Sequence, residues 1–170
     1  MIALRWDGPV VGRWFAAVTD LDTGADLLRG RRYGVVEVVA GHFRAVHLRP
    51  FPKLITLPEV WPVGRDYHCH GAADRCLLFY NQPRRFPNFL ALKYVVSTPR
   101  TRLVTFRTAL NVLDLVARTK RTDALLCDVA NTRISDRLLA RWGWEPHKPQ
   151  WLHRNYIKRF YGDYPPVRVT

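Results

Sequence analysis

The sequence predicts one α+β domain of 170 residues, built on a mixed central β-sheet flanked by helices. A chain of this length suits one compact core. The first half is rich in strand-like segments and has no strong helix. The second half, which is α/β-like, alternates strand, helix, strand, helix and strand. Two apolar runs joined by a long helix should form neighbouring parallel strands through a right-handed crossover.

The N-terminal half, about residues 1–88, is predicted to be mostly strand. "RRYGVVEVVAG" is rich in β-branched residues and ends at a glycine, and "HFRAVHL" alternates as its hairpin partner would. Four prolines between residues 50 and 62 favour an irregular surface crossing. The type of the early segment "PVVGRWFAAVTDL" stays open. The strands predicted here are residues 31–41, 42–48 and 75–80.

The C-terminal half, about residues 89–162, carries the clearest pattern. "FLALKYVVS" is a continuous apolar run, typical of a central strand covered on both faces. A helix should follow, with Thr98 as its cap, Pro99 at its first position and Lys120 and Arg121 at its end. The later elements are a strand at 123–129, a helix at 133–142, a strand at 154–162 and a short tail at 163–170.

The charge is the unusual bulk property. Formal net charge is +13, and arginine supplies most of the 27 basic residues. Such a field attracts polyanions, so nucleic acid and phosphorylated cofactors are both candidate partners. The basic residues are spread evenly, however, and an arginine-rich coding bias would give the same count. Trp151 and Tyr156 lie among basic residues and are predicted to be exposed, where they could stack on bases.

Three cysteines without a CxxC pair favour reduced thiols over a disulfide framework. No apolar run reaches the length of a membrane helix, and the N-terminus lacks a basic region followed by an apolar block. We therefore expect a cytoplasmic protein with no membrane partner.

The run "NTRISDRLLARWGWEPH", residues 131–147, resembles the C-terminal portion of the GNAT superfamily of acyl-coenzyme A N-acyltransferases. In that family a strand ends in Asn, and a short helix leads to Gly and an aromatic residue. Asn131, Leu138, Gly143, Trp144 and Glu145 match that run in type. The resemblance covers roughly residues 89–160, and the ending "HRNYIKRFYGDYPP" also resembles bacterial proteins of this length.

The resemblance implies a GNAT-like fold in which two parallel strands splay apart around the pantetheine arm of acetyl-CoA or another acyl-CoA. The pyrophosphate would sit on amides at the start of the helix after the first of these strands. The acceptor would be an amine-bearing substrate. The cofactor-binding residues implied are Val95, Val96, Thr98, Arg100, Thr101, Arg102 and Asn131.

Two departures from the family pattern concern its phosphate loop and its acid. The corresponding loop, "STPRTRLV", contains no glycine, although glycine lets a backbone approach phosphate closely. Pro99 also removes one amide donor. Arginines and threonine hydroxyls could substitute as anion ligands. The alternative is an ordinary capped helix whose arginines are solvated. The tyrosine that can protonate the departing thiolate is replaced by Leu139.

The candidate catalytic residues are His68, His70 and Glu37. A histidine is a ready base near neutral pH, and His68 and His70 share one face if their segment is extended. Glu37 interrupts an apolar strand, so its pKa could be raised by partial burial and it could deprotonate an amine. Equally, Glu37 could lie on the solvent face, paired with an arginine of the next strand. We assign no metal site, because His-x-His followed by a lone cysteine is not a zinc-finger spacing.

Three functions remain open on the sequence alone. The first is a divergent GNAT-like N-acyltransferase with a non-standard phosphate loop. The second is a basic nucleic-acid-binding protein. The third is a GNAT-shaped scaffold without catalytic activity.

Overall fold

The structure is a computed structural model that describes residues 16–52, 74–129, 134–148 and 154–166. Within these residues lie eight strands and three helices. The strands are β1 (Ala16–Val18), β2 (Tyr33–Val39), β3 (His42–Arg49), β4 (Arg75–Asn81), β5 (Phe89–Ser97), β6 (Ala124–Asp128), β7 (Glu145–Pro146) and β8 (Asn155–Arg159). The helices are α1 (Ala25–Gly30), α2 (Leu103–Thr119) and α3 (Asp136–Arg141).

All eight strands form one mixed sheet in the order β1-β3-β2-β4-β5-β6-β8-β7. Only β5 and β6 pair in parallel, and every other neighbouring pair is antiparallel. Helix α2 connects these two parallel strands, as the pattern of the C-terminal half predicted. The α+β class and the mixed central sheet are therefore confirmed.

The two faces of the sheet are covered differently. Helices α1, α2 and α3 all contribute buried side chains to one large core with one face of the sheet. On this side the apolar stripe of α2 packs against β2, β3 and β4, which explains its helical spacing. The other face carries a second, smaller buried cluster: Val35, Leu77, Phe79 and Val96.

The β2–β3 hairpin is closed by Ala40 and Gly41, both with positive φ values of 52° and 84°. A two-residue turn of this kind matches the right-handed twist of the paired strands, and glycine adopts it without strain. The Ala40 amide also donates to the carbonyl of Asp74, 2.7 Å away, just before β4. The turn and the first residue of β4 therefore meet at the sheet end where β5 finishes.

Four details differ from the sequence prediction. Helix α2 begins at Leu103, five residues after Thr98, because the Thr98 and Thr101 hydroxyls bind the β4 backbone instead of capping the helix. Strand β5 is central, but most of its side chains are only partly buried. The short elements α1 and β7 were not predicted, since each is too short to show a period.

Among the described residues, no helix is both long enough and apolar enough to cross a membrane. Cys76 and Cys127 are buried free thiols, and burial raises the pKa of each to about 12. Both therefore stay protonated near neutral pH and behave as small apolar core residues.

Candidate functional site

The parallel pairing of β5 with β6 ends halfway along β5, one residue before β6 itself ends at Asp128. Their paired residues run from Phe89 with Ala124 to Leu92 with Cys127. Strand β5 then continues to Ser97, paired only with β4 among the described strands. We call this region the wedge: it is the stretch of β5 from residue 93 to residue 97, beyond the last pair with β6 and beside the carboxyl end of that strand.

A β-bulge in β5 coincides with the start of the wedge. Across from β4, Leu92 pairs with Tyr80 and Tyr94 pairs with Phe79, so Lys93 is the extra residue. A bulge bends its strand and increases the local twist. The bulge falls directly after the last β5 residue that pairs with β6.

The loop between β5 and α2 is fixed to the first residue of β4. The Thr98 amide and the Thr101 hydroxyl both donate to the Arg75 carbonyl, at 3.2 Å and 2.8 Å. The Arg75 amide donates to the Thr98 hydroxyl oxygen at 3.3 Å. The two threonine hydroxyls are also 2.9 Å apart, so both are engaged within the protein.

The start of α2 already holds a carboxylate, that of Asp74. The Arg102 amide donates to Asp74 Oδ1 at 3.0 Å, and Arg102 Nε donates to Asp74 Oδ2 at 2.7 Å. Burial would raise the pKa of Asp74, but the nearby Thr105 hydroxyl and Arg102 outweigh it and leave that pKa lowered. The Thr105 hydroxyl closes no hydrogen bond of normal geometry, so we attribute the lowering chiefly to Arg102.

These contacts distinguish the two ends of a coenzyme A molecule. Beyond its last pair with β6, β5 continues as extended backbone from residue 93 to residue 97. The start of α2 fits a pyrophosphate poorly, because Asp74 takes the Arg102 amide and neutralises its guanidinium, while Pro99 has no amide to give. The residues at the start of α2 therefore do not suit a diphosphate.

The predicted cofactor-binding residues occupy the wedge and its mouth. Val95 points to the face that α2 covers, and Val96 is buried on the opposite face. Arg100 is exposed in the loop beyond them. The predicted cofactor-binding residues that the structure describes lie in the same continuous segment, so their role in binding a cofactor stays a prediction: Val95, Val96, Thr98, Arg100, Thr101 and Arg102. Asn131, His68 and His70 lie outside the described residues.

Glu37 lies in a buried polar cluster on the face opposite α2. Its carboxylate Oε2 is 2.6 Å from His47 Nε2, and Oε1 accepts a hydrogen bond from Arg75. Burial would raise the pKa of Glu37, yet the His47 hydrogen bond and the Arg75 charge lower it overall. The expectation of a raised pKa is therefore wrong. The expected arginine from the next strand is present, but the pair is buried rather than exposed to solvent.

Strand register sets the distance between Glu37 and the wedge. Glu37 pairs with Leu77, and Leu77 pairs with Val96, so the three lie in one row on one face. Two strand spacings separate Glu37 from Val96, which is about 10 Å. That separation, together with its two partners, makes Glu37 better suited to orient His47 than to take a proton from a group in the wedge.

Tyr156 lies nearer the wedge in register and was missed as a site residue. It pairs with Cys127, which in turn pairs with Leu92 where β5 and β6 separate. Its hydroxyl donates to Asp136 at 2.7 Å and accepts from Arg154 at 3.0 Å. Burial and the Asp136 hydrogen bond raise the pKa of Tyr156. The nearness of Tyr156 to the wedge follows from its pairing with Cys127, and the sequence alone does not determine that pairing.

The prediction that Tyr156 is exposed is wrong, because the side chain belongs to the core. The exposed aromatic residues lie elsewhere. Phe86, 60% exposed, follows exposed Arg84 and Arg85 in the β4–β5 loop, and Tyr161 is 74% exposed. Asp123 links the β4–β5 loop to the segment after β8. Its side chain accepts a hydrogen bond from the Asn88 side-chain amide, and its carbonyl accepts one from the Tyr161 backbone amide.

Across the described residues, no group of three or more histidine, cysteine, aspartate or glutamate side chains is arranged to hold a metal ion. The segment with Asp66, His68 and Cys69 lies outside those residues.

Comparison with known proteins gives little further information. No protein-family model matches the chain, and no curated protein matches it. Among solved structures, the chain is similar to nourseothricin acetyltransferase, with a TM-score of 0.42 and 12% identity, over 86% of this chain and 99% of that one. A TM-score of that size does not establish a shared fold.

Proposed function

We propose that this chain is a GNAT-like acyltransferase that binds the arm of an acyl thioester in the wedge and transfers the acyl group to an amine. One observation carries the proposal. The parallel β5–β6 ladder ends at Leu92 and Cys127, while β5 continues to Ser97. An extended, amide-bearing ligand can add to such a strand edge through main-chain hydrogen bonds. The resemblance of residues 131–147 to the GNAT superfamily points to the same kind of ligand, of which acyl-CoA is the familiar form.

The reaction is the same whichever group, coenzyme A or pantetheine, bears the acyl thioester. The amine nitrogen attacks the thioester carbonyl carbon, and a C–N bond forms as the C–S bond breaks. A base removes one proton from the amine nitrogen, and an acid returns one proton to the departing thiolate. The products are an amide and a thiol, so no oxidant or reductant is needed.

The roles of base and acid go to different residues. His68 and His70 remain the predicted bases. We propose Tyr156 as the acid, in place of the tyrosine that Leu139 replaces. A tyrosine hydroxyl is protonated near neutral pH and so has a proton to give, although the raised pKa of Tyr156 makes it a weaker acid than an ordinary tyrosine. Asp136 and Arg154 would hold its hydroxyl in position at the start of α3.

The test uses the full chain, S-acetyl-pantetheine, acetyl-CoA and a panel of primary amines. We expect at least one donor to raise the melting temperature with concentration and to release free thiol only when an amine is present. The double substitution His68→Ala/His70→Ala should lower turnover by about 10²-fold or more. The matched control is His42→Ala, which removes an exposed histidine of β3.

The acid is tested separately. Tyr156→Phe should lower kcat and remove the alkaline limb of its pH profile, while Tyr164→Phe should leave both unchanged. The Tyr164 hydroxyl donates to the Thr122 carbonyl, 2.8 Å away, at the opposite end of β6. If neither thioester stabilises the protein or releases thiol, the proposed function is refuted.

A second candidate function is binding of single-stranded nucleic acid through the β4–β5 loop. Exposed Phe86 beside Arg84 and Arg85, on a chain of net charge +13, favours it. Phe86→Ala should then weaken binding of a fluorescent oligonucleotide, whereas Phe51→Ala, also at an exposed phenylalanine, should not. Binding that is independent of salt or of Phe86 would rule out this surface.

A further inference from the structure

A fixed negative charge occupies the start of α2, at the mouth of the wedge. Asp74 belongs to a different segment from the helix, and it binds both the Arg102 amide and the Arg102 guanidinium. Its side chain is only 15% exposed, whereas that of Arg102 is 61% exposed. The carboxylate therefore lies on the protein side of the pair and already complements the positive end of the helix.

We infer that Asp74 makes this chain select acyl thioester donors that carry no diphosphate, such as acyl-pantetheine, over acyl-CoA. The inference rests on the proposed function and narrows its donor. The inference rests on the position of the Asp74 carboxylate, which is bound at the start of α2 where a diphosphate would otherwise lie.

Like charge is the first reason for this selectivity. A diphosphate bound at the helix start would lie beside the Asp74 carboxylate, and the two would repel each other. The guanidinium that could offset the repulsion is already paired with that carboxylate. The helix dipole, which normally favours an incoming anion, acts on Asp74 instead.

The backbone of Asp74 is also held, so the carboxylate cannot easily move away. The Asp74 carbonyl accepts the Ala40 amide from the hairpin turn at 2.7 Å. The next residue, Arg75, donates its amide to the Thr98 hydroxyl oxygen and accepts a hydrogen bond from the Thr101 hydroxyl at its carbonyl. Moving the carboxylate would therefore disturb the hairpin turn, the beginning of β4 and the loop together.

The pantetheine arm is not affected in the same way. The wedge opens at Leu92, toward the middle of β5, while Asp74 acts beyond the end of that strand. A donor that ends before the diphosphate can therefore use the strand edge without meeting the carboxylate. Discrimination should appear only between donors that differ at the phosphate end.

The experiment measures binding of S-acetyl-pantetheine and acetyl-CoA by calorimetry to the wild-type chain, to Asp74→Asn and to Asp26→Asn. Asparagine keeps an acceptor for the Arg102 amide and removes the charge. Asp26 is an exposed first-turn aspartate of α1, so its substitution controls for the change in net charge. If Asp74→Asn does not fold, Asp74→Ser replaces it.

We expect the wild-type chain to bind S-acetyl-pantetheine more tightly than acetyl-CoA. Asp74→Asn should raise acetyl-CoA affinity at least tenfold and change S-acetyl-pantetheine affinity less than twofold, and Asp26→Asn should change neither. Equal acetyl-CoA affinity in the wild type and Asp74→Asn would overturn this inference and leave the proposed function standing. No binding of either donor to any chain would refute both.

Discussion

The carboxylate of Glu37 and the Nε2 atom of His47 lie 2.6 Å apart across the β2–β3 hairpin, and both side chains are buried. The Arg75 guanidinium from β4 binds the other carboxylate oxygen. One buried anion thus holds side chains from two neighbouring strands together. Removing its charge should cost the fold more than removing an exposed carboxylate would.

Glu37→Gln should lower the free energy of unfolding at pH 7 by about 3 kcal/mol, because it leaves the buried Arg75 charge facing a neutral amide. Urea unfolding measures the change. Glu145→Gln, at an exposed partner of Arg159, should stay within about 0.5 kcal/mol of wild type. A loss for Glu37→Gln no larger than for Glu145→Gln would show that the buried cluster is not stabilising.

The same substitution should change the dependence of stability on pH. The folded-state pKa of Glu37 is lowered, so the unfolded chain binds its proton more readily. The stability that Glu37 contributes is therefore complete above its ordinary pKa of 4.5 and is lost as pH falls through the lower folded value. Unfolding measured between pH 7 and pH 3 should show a steeper loss for wild type than for Glu37→Gln. Parallel curves would contradict this assignment.

A second buried pair joins α2 to β8, where Lys158 Nζ lies 2.6 Å from Asp114 Oδ2. Burial raises the pKa of Asp114 even though Lys158 opposes the rise. Lys158→Met should cost about 3–5 kcal/mol, because it leaves the Asp114 charge buried without its cation. Adding Asp114→Leu should restore wild-type stability or exceed it. Additive losses in the double variant, measured by thermal and urea unfolding, would count against the pairing.

Close packing at Gly34 gives a fourth prediction. A Cβ atom there would lie 2.6 Å from the Tyr80 hydroxyl oxygen and 2.7 Å from the ring carbon that bears it. Gly34→Ala should therefore destabilise the protein by about 1–3 kcal/mol. Tyr80→Phe should stabilise it by about 1 kcal/mol, because it removes a buried hydroxyl that makes no hydrogen bond.

The control for this prediction is Gly30→Ala, where a Cβ atom would meet nothing within 4 Å. That substitution should be neutral or slightly stabilising. If Gly34→Ala were tolerated as well as Gly30→Ala, Tyr80 would have to occupy a different position. Thermal unfolding of the three variants is sufficient to decide.

The wedge makes a prediction for hydrogen exchange. Residues 89–92 all pair with β6, and Ala91 and Leu92 also pair with β4, so peptides from this segment should exchange more slowly than peptides from residues 93–97. Strand β4, paired along its length with β2 and β5, supplies the internal reference. Adding S-acetyl-pantetheine should slow exchange at 93–97 selectively. Uniform protection along β5 without ligand would show that the two strands do not diverge in solution.

Much of the fold could be predicted because strand and helix periods are local. The segments 31–41 and 89–97 contain the strands found there, and the segment 42–48 ends one residue before β3 does. The parallel pair follows from the helix between its members. The start of α2 could not be predicted, since Thr98 and Thr101 find their partner in Arg75, more than twenty residues earlier. Helix-capping rules consider only neighbouring residues, so they cannot predict that a residue this distant in sequence binds the two threonine hydroxyls.

The site was harder to predict for the same reason. Asp74 carries no motif, and its effect comes only from lying beside Arg102 once β4 and β5 pair. Glu37 was identified as unusual within an apolar strand, but its pKa depends on His47 and Arg75, which reach it through strand register. Tyr156 likewise depends on register with Cys127. The type of a residue was enough to suggest it as a candidate for the site, but its role depends on the residues that contact it in the folded chain.

Arg75 connects two regions that a protein engineer would wish to alter separately. Its side chain holds the Glu37 carboxylate, while its peptide group anchors the threonines before α2. A glycine-rich loop transplanted into residues 98–102 would remove those anchors and loosen the buried arginine as well. Such a graft would need compensating changes at the beginning of β4, so the loop and the strand must be redesigned as one unit.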